Sequence, residues 1–284
     1  MVMQTYELLD AGNFQRLEKW GPYIIIRPDQ TASWPKRDLP EWNQADATYR
    51  GTTVQDGSWQ SKTTLPETWQ VALGSWQFSV GLGTSKHLGL FPEQLVQWQL
   101  LQKTITENKS NFDEPIRILN LFAYTGAASI AAATAGAFVT HVDSSAPAIG
   151  RAKQNQALNG LDPRSIRWIN EDVLTFLMRE VRRNKQYDII CLDPPAYGHG
   201  AKGEQFSLQK QFSLLLMEVQ QLLSDKAIAV MITTYSEIFD PNDLAEHCQE
   251  LFDSTTVQAH TLTLPINTSS KVLTTGSWVW VPTQ

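Results

Sequence analysis

The spacing of hydrophobic residues along this 284-residue chain changes near residue 92. Before that point, apolar and polar residues alternate in short runs that are separated by Gly, Pro, Asp and Asn. Such alternation is typical of strands with one buried face, and the separating residues favour turns. The pattern therefore predicts a small β-rich domain over residues 1–85 and a second domain over 86–284. The clearest of the alternating runs span 23–27, 69–73 and 76–80.

Beyond residue 92, continuous apolar runs alternate with stretches in which apolar residues recur at helical spacing. The continuous runs are typical of strands buried on both faces, and the spaced ones of helices. This alternation predicts an α/β fold with a doubly wound, seven-stranded, mainly parallel sheet and a C-terminal antiparallel hairpin. The strands are predicted at 116–122, 137–142, 166–169, 187–192, 228–232, 257–264 and 272–280. The helices are predicted at 93–103, 127–136, 146–159, 173–183, 206–223 and 243–252.

Composition narrows the class of protein. The formal net charge is −6 and the pI is near 5.4, so bulk charge does not favour nucleic acid, and phosphate contacts would need a local basic patch. Two cysteines, Cys191 and Cys248, exclude a disulfide framework and a four-cysteine zinc site, and no cluster of ligands indicates a metal. The first residues lack a signal peptide, and the most apolar stretch, 127–142, is too short to cross a bilayer. We expect a soluble, cytoplasmic protein without membrane contact.

The segment 118–129 combines an apolar strand, a turn at Gly126 and an alanine-rich helix. The first turn of a helix offers unpaired N–H groups and a partial positive charge. Dinucleotide-binding proteins place a pyrophosphate there and need three glycines for its close approach. Only Gly126 is present here, so the turn favours a cofactor without a pyrophosphate.

Two acids follow the next two predicted strands. Asp143 ends the second strand, 17 positions after Gly126, where a carboxylate can accept both hydroxyls of a ribose. Asp172 follows the third strand and could accept the amino group of an adenine. Each acid could instead cap the helix that follows it.

The fourth predicted strand ends in Asp193-Pro-Pro-Ala-Tyr197. A group transfer at this corner would depend mainly on positioning and desolvation of the acceptor. The Asp193 carboxylate and the carbonyls of a stiff turn at Pro194 could orient an exocyclic amine, and Tyr197 could stack on a planar target. The alternative is a proline-terminated strand with a capping acid. The polar loop that follows, which contains His199, could close over a substrate or be an ordinary flexible loop.

Four of these motifs resemble one known family. The segments 120–126, 143–145, 170–172 and 193–195 resemble the S-adenosylmethionine-dependent methyltransferases that include bacterial large-subunit ribosomal RNA methyltransferases, and 86–94 is similar to a segment that encloses the cofactor in that family. The resemblance implies S-adenosylmethionine as cofactor and S-adenosylhomocysteine as product. The candidate catalytic residues are Asp193, Pro194 and Tyr197. The candidate cofactor contacts are Phe91, Gln94, Phe122, Ala123, Tyr124, Thr125, Gly126, Asp143, Ser144, Asp172 and Asp193.

The resemblance also implies an RNA substrate, in particular ribosomal RNA. Relatives that methylate cytosine at C5 use a cysteine after the fifth strand, where this chain has Thr233-Thr-Tyr-Ser236. We therefore expect direct transfer to a base atom without a cysteine nucleophile. Ala196 separates the two prolines from Tyr197, and this departure leaves the target atom open. The acidic pI and the absence of a recognisable RNA-binding module in residues 1–85 favour the alternative of a small-molecule or protein substrate. A nicotinamide oxidoreductase and a catalytically silent binding module are further alternatives.

Overall fold

The computed structural model describes residues 5–51, 56–199, 203, 205–235, 238–252, 256–267 and 269–283. The chain forms two compact units. The first consists of Met1–Leu95 and Thr263–Thr275, and the second of Val96–Leu262 and Gly276–Gln284. Within the described ranges, no helix is both long and apolar enough to cross a membrane.

The first unit is rich in β-structure, which confirms the predicted β-rich character of the N-terminal region. Its described elements are β1 (Tyr6–Gly12), β2 (Gln15–Trp20), β3 (Tyr23–Pro28), α1 (Glu41–Gln44), β4 (Ala47–Arg50), β5 (Ser58–Ser61), β6 (Trp69–Leu73) and β7 (Trp76–Val80). Strands β1 to β5 form one sheet in that order, and β6 pairs with β7. Neighbouring strands are antiparallel except β3 and β4, which are parallel.

The core of the first unit contains an ion pair that a hydrophobic pattern does not predict. Glu18 of β2 is fully buried, and its two carboxylate oxygens accept bonds of 2.6 and 2.9 Å from the Arg27 guanidinium. The Tyr6 hydroxyl donates to the same carboxylate at 2.9 Å. Burial by itself raises the pKa of Glu18, but the charge and bonds of Arg27 hold it below its usual value. The carboxylate therefore stays ionised in the core, and removal of Arg27 would leave this buried charge with the weaker compensation of Tyr6 and the more distant Arg16.

The remaining described elements alternate between strand and helix, as predicted. The strands are β8 (Arg117–Leu121), β9 (Phe138–Asp143), β10 (Ile166–Asn170), β11 (Ile189–Leu192), β12 (Tyr197–His199), β13 (Gln205–Ser207), β14 (Ala229–Thr234), β15 (Gln258–Pro265) and β16 (Val272–Pro282). The helices are α2 (Leu95–Asn108), α3 (Ala127–Thr134), α4 (Ala146–Leu158), α5 (Val173–Arg182), α6 (Leu208–Gln221) and α7 (Pro241–Phe252).

Seven of these strands form one sheet in the order β10-β9-β8-β11-β14-β16-β15. The first five are mutually parallel, and β16 runs antiparallel to β14. The predicted α/β fold is therefore confirmed. Apolar residues of β8, β11 and β14 form the core together with α5 and α6; they include Leu119, Ile190, Val230, Phe176 and Leu215.

The order of the strands locates a crevice at one edge of this sheet. From β8 the chain continues to β9 on one side, and it later returns to β11 on the other side of β8. Such a reversal opens a crevice at the carboxyl ends of the two central strands, which is where open α/β sheets bind ligands. The turn after β8 and the Asp-Pro-Pro segment after β11 both begin at this point.

The predicted helix at 206–223 begins later than expected. Gln205–Ser207 forms β13, which pairs with β12 in the segment predicted as a loop, and α6 starts at Leu208. The N–H group of Leu208 donates to the Ala196 carbonyl at 3.0 Å, and Phe206 is buried. A backbone bond and a buried ring thus hold this segment as a hairpin. His199, the candidate closing residue, lies in β12.

Candidate active site

The turn that follows β8 has an unusual backbone. Phe122, Tyr124 and Gly126 all have left-handed conformations, with φ values of +53°, +49° and +85°. A non-glycine residue in this region costs about 1–3 kcal/mol and persists only where its surroundings determine it. At Gly126, a Cβ atom would also lie only 3.1 Å from the Cβ of Ala152. We call residues 122–126 the cofactor turn, after the role that the sequence predicts for them.

Bonds from neighbouring elements hold the cofactor turn in place. The N–H group of Ala123 donates to the Val142 carbonyl at 3.1 Å, and the Asn155 side chain donates to the Thr125 carbonyl at 2.9 Å. Helix α3 begins directly after Gly126, which supplies no side-chain cap. The first N–H groups of α3 therefore suit the negative end of a ligand.

Asp143 connects the cofactor turn to the end of β9. Its Oδ2 accepts a bond of 2.7 Å from the N–H of Tyr124, and its Oδ1 accepts one of 2.8 Å from the N–H of Ser145. Helix α4 is capped by Ser145, whose Oγ accepts from Ala148, so Asp143 is not the N-cap residue. Burial raises the pKa of Asp143, and the two backbone bonds only partly oppose this effect. Ser144 follows it and is half-buried.

Asp172 follows β10, the strand that pairs with β9. It is the N-cap residue of α5, because its Oδ1 accepts a bond of 2.9 Å from the N–H of Thr175. Asp172 therefore caps a helix, which was the alternative to adenine binding in the sequence analysis. The bond uses Oδ1, and the half-exposed side chain keeps Oδ2 for a further donor.

The segment after β11 lies next to the cofactor turn. The N–H group of Asp193 donates to the Leu121 carbonyl at 3.4 Å, so the ends of β8 and β11 are bonded to each other. The rings of Phe122 and Phe206 lie 5.1 Å apart, which links the cofactor turn to the β12–β13 hairpin. Tyr197, at the start of that hairpin, is 70% exposed. The exposed ring of Tyr197 can stack on a planar group.

The predicted site residues fall into two groups. Phe122 to Gly126, Asp143, Ser144, Asp172, Asp193, Pro194 and Tyr197 all follow strands of the second unit. Phe91 and Gln94 belong to the first unit, where the N–H of Gln94 donates to the Phe91 carbonyl at 3.1 Å. Pro194 is buried, and Asp193 is half-buried.

Two residues that shape the site are not predicted by the sequence pattern. Phe206 was expected to start a helix, and Asn155 was not singled out. Asn155 is fully buried in α4, and a polar residue on the buried face of a helix is a signal that could have identified it. No local signal identified Phe206, because its partner Phe122 is remote in the sequence.

A basic run of Arg179, Arg182, Arg183 and Lys185 covers the end of α5, and two of its arginines pair with acids of the same unit. Arg179 pairs with Glu171 at 2.6 Å, and Arg183 pairs with Glu180 at 3.4 Å. Glu180 is fully buried and also pairs with Arg167 at 3.5 Å. A basic run on a helix can be a solvated face or a phosphate contact, and these pairs favour a structural role.

Neither cysteine has the environment of a nucleophile. Cys191 lies inside β11 and Cys248 inside α7, and both are buried. Burial raises the pKa of each thiol to about 12. The reactive form of cysteine is the thiolate, so both side chains are inert near neutral pH. No group of three or more His, Cys, Asp or Glu side chains suited to a metal ion occurs in the part of the chain that the structure describes.

Comparisons with known proteins identify the class. Residues 44–259 match the model of the S-adenosylmethionine-dependent methyltransferase family. The crystal structure of the SAM-dependent methyltransferase from Agrobacterium tumefaciens is 37% identical, with a TM-score of 0.92, over 99% of this chain and 91% of that one. The chain therefore belongs to the S-adenosylmethionine-dependent methyltransferase family, and S-adenosylmethionine is its cofactor.

Other similar proteins share the fold or part of the sequence. The structure of SMU.776 complexed with SAH has a TM-score of 0.77 at 19% identity, over 99% of this chain and 76% of that one, and shows the fold alone. The ribosomal RNA large subunit methyltransferase K/L of Methylococcus capsulatus is 33% identical over 162 residues, which is 56% of this chain and 21% of that protein. Its counterpart from Shewanella baltica is 42% identical over 110 residues, which is 38% of this chain and 15% of that protein. The chain thus matches about a fifth or less of the length of these relatives.

Proposed function

We propose that this methyltransferase methylates RNA, with ribosomal RNA as the substrate class, and that it transfers the methyl group directly to a base atom. One observation carries the proposal: the Asp193–Tyr197 segment begins with a backbone bond from Asp193 to the end of β8, directly before the cofactor turn, and ends in an exposed aromatic ring. The similarity to ribosomal RNA methyltransferases supports RNA as the substrate. An RNA substrate also implies a cytoplasmic enzyme.

The residues of the second unit fit an adenosyl cofactor. The uncapped start of α3 suits the carboxylate of its amino-acid part, and Asp143 has lone pairs left for the ribose hydroxyls. Oδ2 of Asp172 suits the adenine amino group. Phe122, Ala123, Thr125 and Ser144 would line the same site. The assignment of Phe91 and Gln94 as cofactor contacts rests on the resemblance of their segment alone.

The reaction needs little covalent chemistry from the protein. When bound, S-adenosylmethionine would supply a methyl group on a positively charged sulfur for in-line displacement by a base atom, with S-adenosylhomocysteine as the leaving product. Asp193 accepts a hydrogen bond from a target amine and aligns its lone pair, and the carbonyl of Pro194 serves as a second acceptor. Tyr197 stacks on the base. If the target is an amine, the Asp193 carboxylate is also positioned to take the proton released after transfer.

Labelled S-adenosylmethionine and total RNA from cells that lack this protein test the proposal. We expect the label in RNA, and digestion to nucleosides identifies the methylated atom. Label that appears only in protein or small molecules would contradict the RNA assignment. That result would favour a small-molecule or protein substrate. The net charge of −6 and the ion pairs of Arg179 and Arg183 support this alternative.

Replacing both cysteines by alanine tests the mechanism without a thiol nucleophile. We expect the variant Cys191→Ala/Cys248→Ala to keep methyl transfer within about threefold of the wild-type rate, because neither buried thiol reaches a target. The measurement is the initial rate of label transfer at equal folded protein, with folding monitored by circular dichroism. A folded variant without any transfer would show that one thiol takes part in the chemistry.

The raised pKa of Asp143 predicts a pH dependence of cofactor binding. The ribose hydroxyls donate to the carboxylate, so affinity is full above its pKa and falls as the pH drops through it. The fall begins at a higher pH than for an ordinary aspartate with a pKa of 3.8. An acid whose folded-state pKa is raised favours the folded state as the pH falls, so unfolding driven by this group does not explain the loss. Calorimetry with S-adenosylhomocysteine across the acidic range checks this, and Asp143→Asn should abolish the dependence.

A further inference from the structure

Three buried polar side chains form a network behind the cofactor turn. Asn120 lies in β8, Ser129 in α3 and His141 in β9, and their exposed fractions are 6%, 0% and 0%. The Asn120 amide donates to Ser129 Oγ at 2.9 Å, and Ser129 Oγ lies 3.0 Å from His141 Nδ1. This polar network therefore links the strand before the turn, the helix after it and the neighbouring strand.

The polar network contacts the turn but is closed to substrate. A Cβ atom on Gly126 would lie 3.5 Å from Cε1 of His141, so the imidazole packs against the glycine of the turn. The edge-to-face contact with Trp168, at 4.7 Å between ring centroids, holds the imidazole on its other side. Burial lowers the pKa of His141 to about 3, and a hydrogen bond with the Tyr124 backbone opposes this only in part. The ring is therefore neutral near pH 7. The proposed methyl transfer uses none of these three side chains.

The backbone of the turn explains why such support is needed. Phe122 and Tyr124 are left-handed without being glycine, and conformations of this kind persist only where the surroundings leave no alternative. Asp143 and Asn155 each hold one backbone group of the turn from the outside. The polar network holds the elements on which the turn is mounted.

We propose that the polar network is a positioning device for the cofactor turn, so that Ser129 and His141 set the affinity for S-adenosylmethionine without contacting it. The inference concerns the cofactor that the family binds and does not depend on RNA as the substrate. Its test therefore uses S-adenosylhomocysteine alone, and a failure to methylate RNA would leave it untouched.

Ser129→Ala is the most direct test. Removal of Oγ leaves the Asn120 amide and His141 Nδ1 without their bonds, while alanine suits a helix that is already rich in alanine. We expect the dissociation constant for S-adenosylhomocysteine to rise about tenfold, the consequence of one lost buried bond that supports the turn. Isothermal titration calorimetry measures the constant, and thermal unfolding is recorded beside it.

Thr140→Val provides the matched control. Thr140 precedes His141 in β9, is also buried, and forms its side-chain bond with Tyr187. Successive residues of a strand point to opposite faces, so this variant loses a buried bond on the face away from the turn. We expect a comparable loss of thermal stability with an unchanged affinity for S-adenosylhomocysteine.

Two variants of His141 provide an independent readout. Asparagine places a polar atom near the position of Nδ1, whereas phenylalanine keeps a ring without one. We expect His141→Asn to bind S-adenosylhomocysteine more tightly than His141→Phe by about tenfold. Equal affinities of Ser129→Ala and Thr140→Val would overturn the proposal, and so would equal affinities of the two His141 variants.

Discussion

Asp143→Ala lowers the affinity for S-adenosylhomocysteine by at least about 100-fold. The carboxylate is proposed to accept two ribose hydroxyls, and a hydrogen bond to a charged group contributes about 1.5–3 kcal/mol. The substitution also removes the acceptor of the Tyr124 N–H group, which helps to hold the left-handed turn. The loss of the ribose bonds and the loss of support for the turn both weaken binding, because the proposed site needs the carboxylate and the turn together. Isothermal titration calorimetry with S-adenosylhomocysteine measures the change.

Asp162→Ala is a suitable control for this variant. Asp162 also accepts backbone and side-chain bonds at the start of a short helical turn, in this case from Arg164, but it is exposed and lies before the amino end of β10. We expect wild-type affinity from it. An Asp143→Ala protein that is folded and binds within tenfold of wild type would rule out the ribose contact.

Asp193→Ala lowers kcat for methyl transfer by at least about 100-fold. In the proposed mechanism this carboxylate orients the target amine and accepts its proton, and such positioned acid–base groups contribute factors of about 10² to 10⁴. Binding of S-adenosylhomocysteine should weaken by less than tenfold, since the start of α3 and Asp143 supply most of the cofactor contacts. Single-turnover transfer of label to the accepting RNA fraction measures the chemical step.

Asp225→Asn is the control for position in the sheet. Asp225 is exposed and lies before the amino end of β14, at the opposite edge from the proposed site. We expect its transfer rate to equal that of the wild type. If Asp193→Ala lost cofactor affinity and kcat to the same degree, Asp193 would be a cofactor contact and not a group that acts on the target.

Much of the second unit was predictable because its signals are local. Each buried strand is a short apolar run, and each helix repeats apolar residues along one face, so their order gives the doubly wound sheet. Parallel strands end at one common edge of a sheet, and for this reason the sequence predicts Gly126, Asp143 and Asp193 at the same edge. The resemblance to a known family added the prediction that the cofactor is S-adenosylmethionine.

Other features depend on contacts between distant segments. Phe206 leaves the predicted helix because its ring packs on Phe122, 84 positions earlier, and a periodicity window does not contain that contact. The Glu18–Arg27 pair is buried in the core, where the hydrophobic pattern of a sequence predicts only apolar residues. The residues 263–275 group with the first unit, where the Asn267 N–H donates to the Leu8 carbonyl at 3.0 Å.

The amino-acid sequence by itself determined the class of fold, the cofactor turn and the acids at the ends of the strands, because hydrophobic periodicity and turn chemistry act over a few residues. Only the tertiary structure decided the left-handed backbone of Phe122 and Tyr124, the polar network beneath Gly126 and the pairing of Arg179 with Glu171. These features arise from burial and from partners that folding brings together. Their energies therefore depend on surroundings that exist only once the chain is packed.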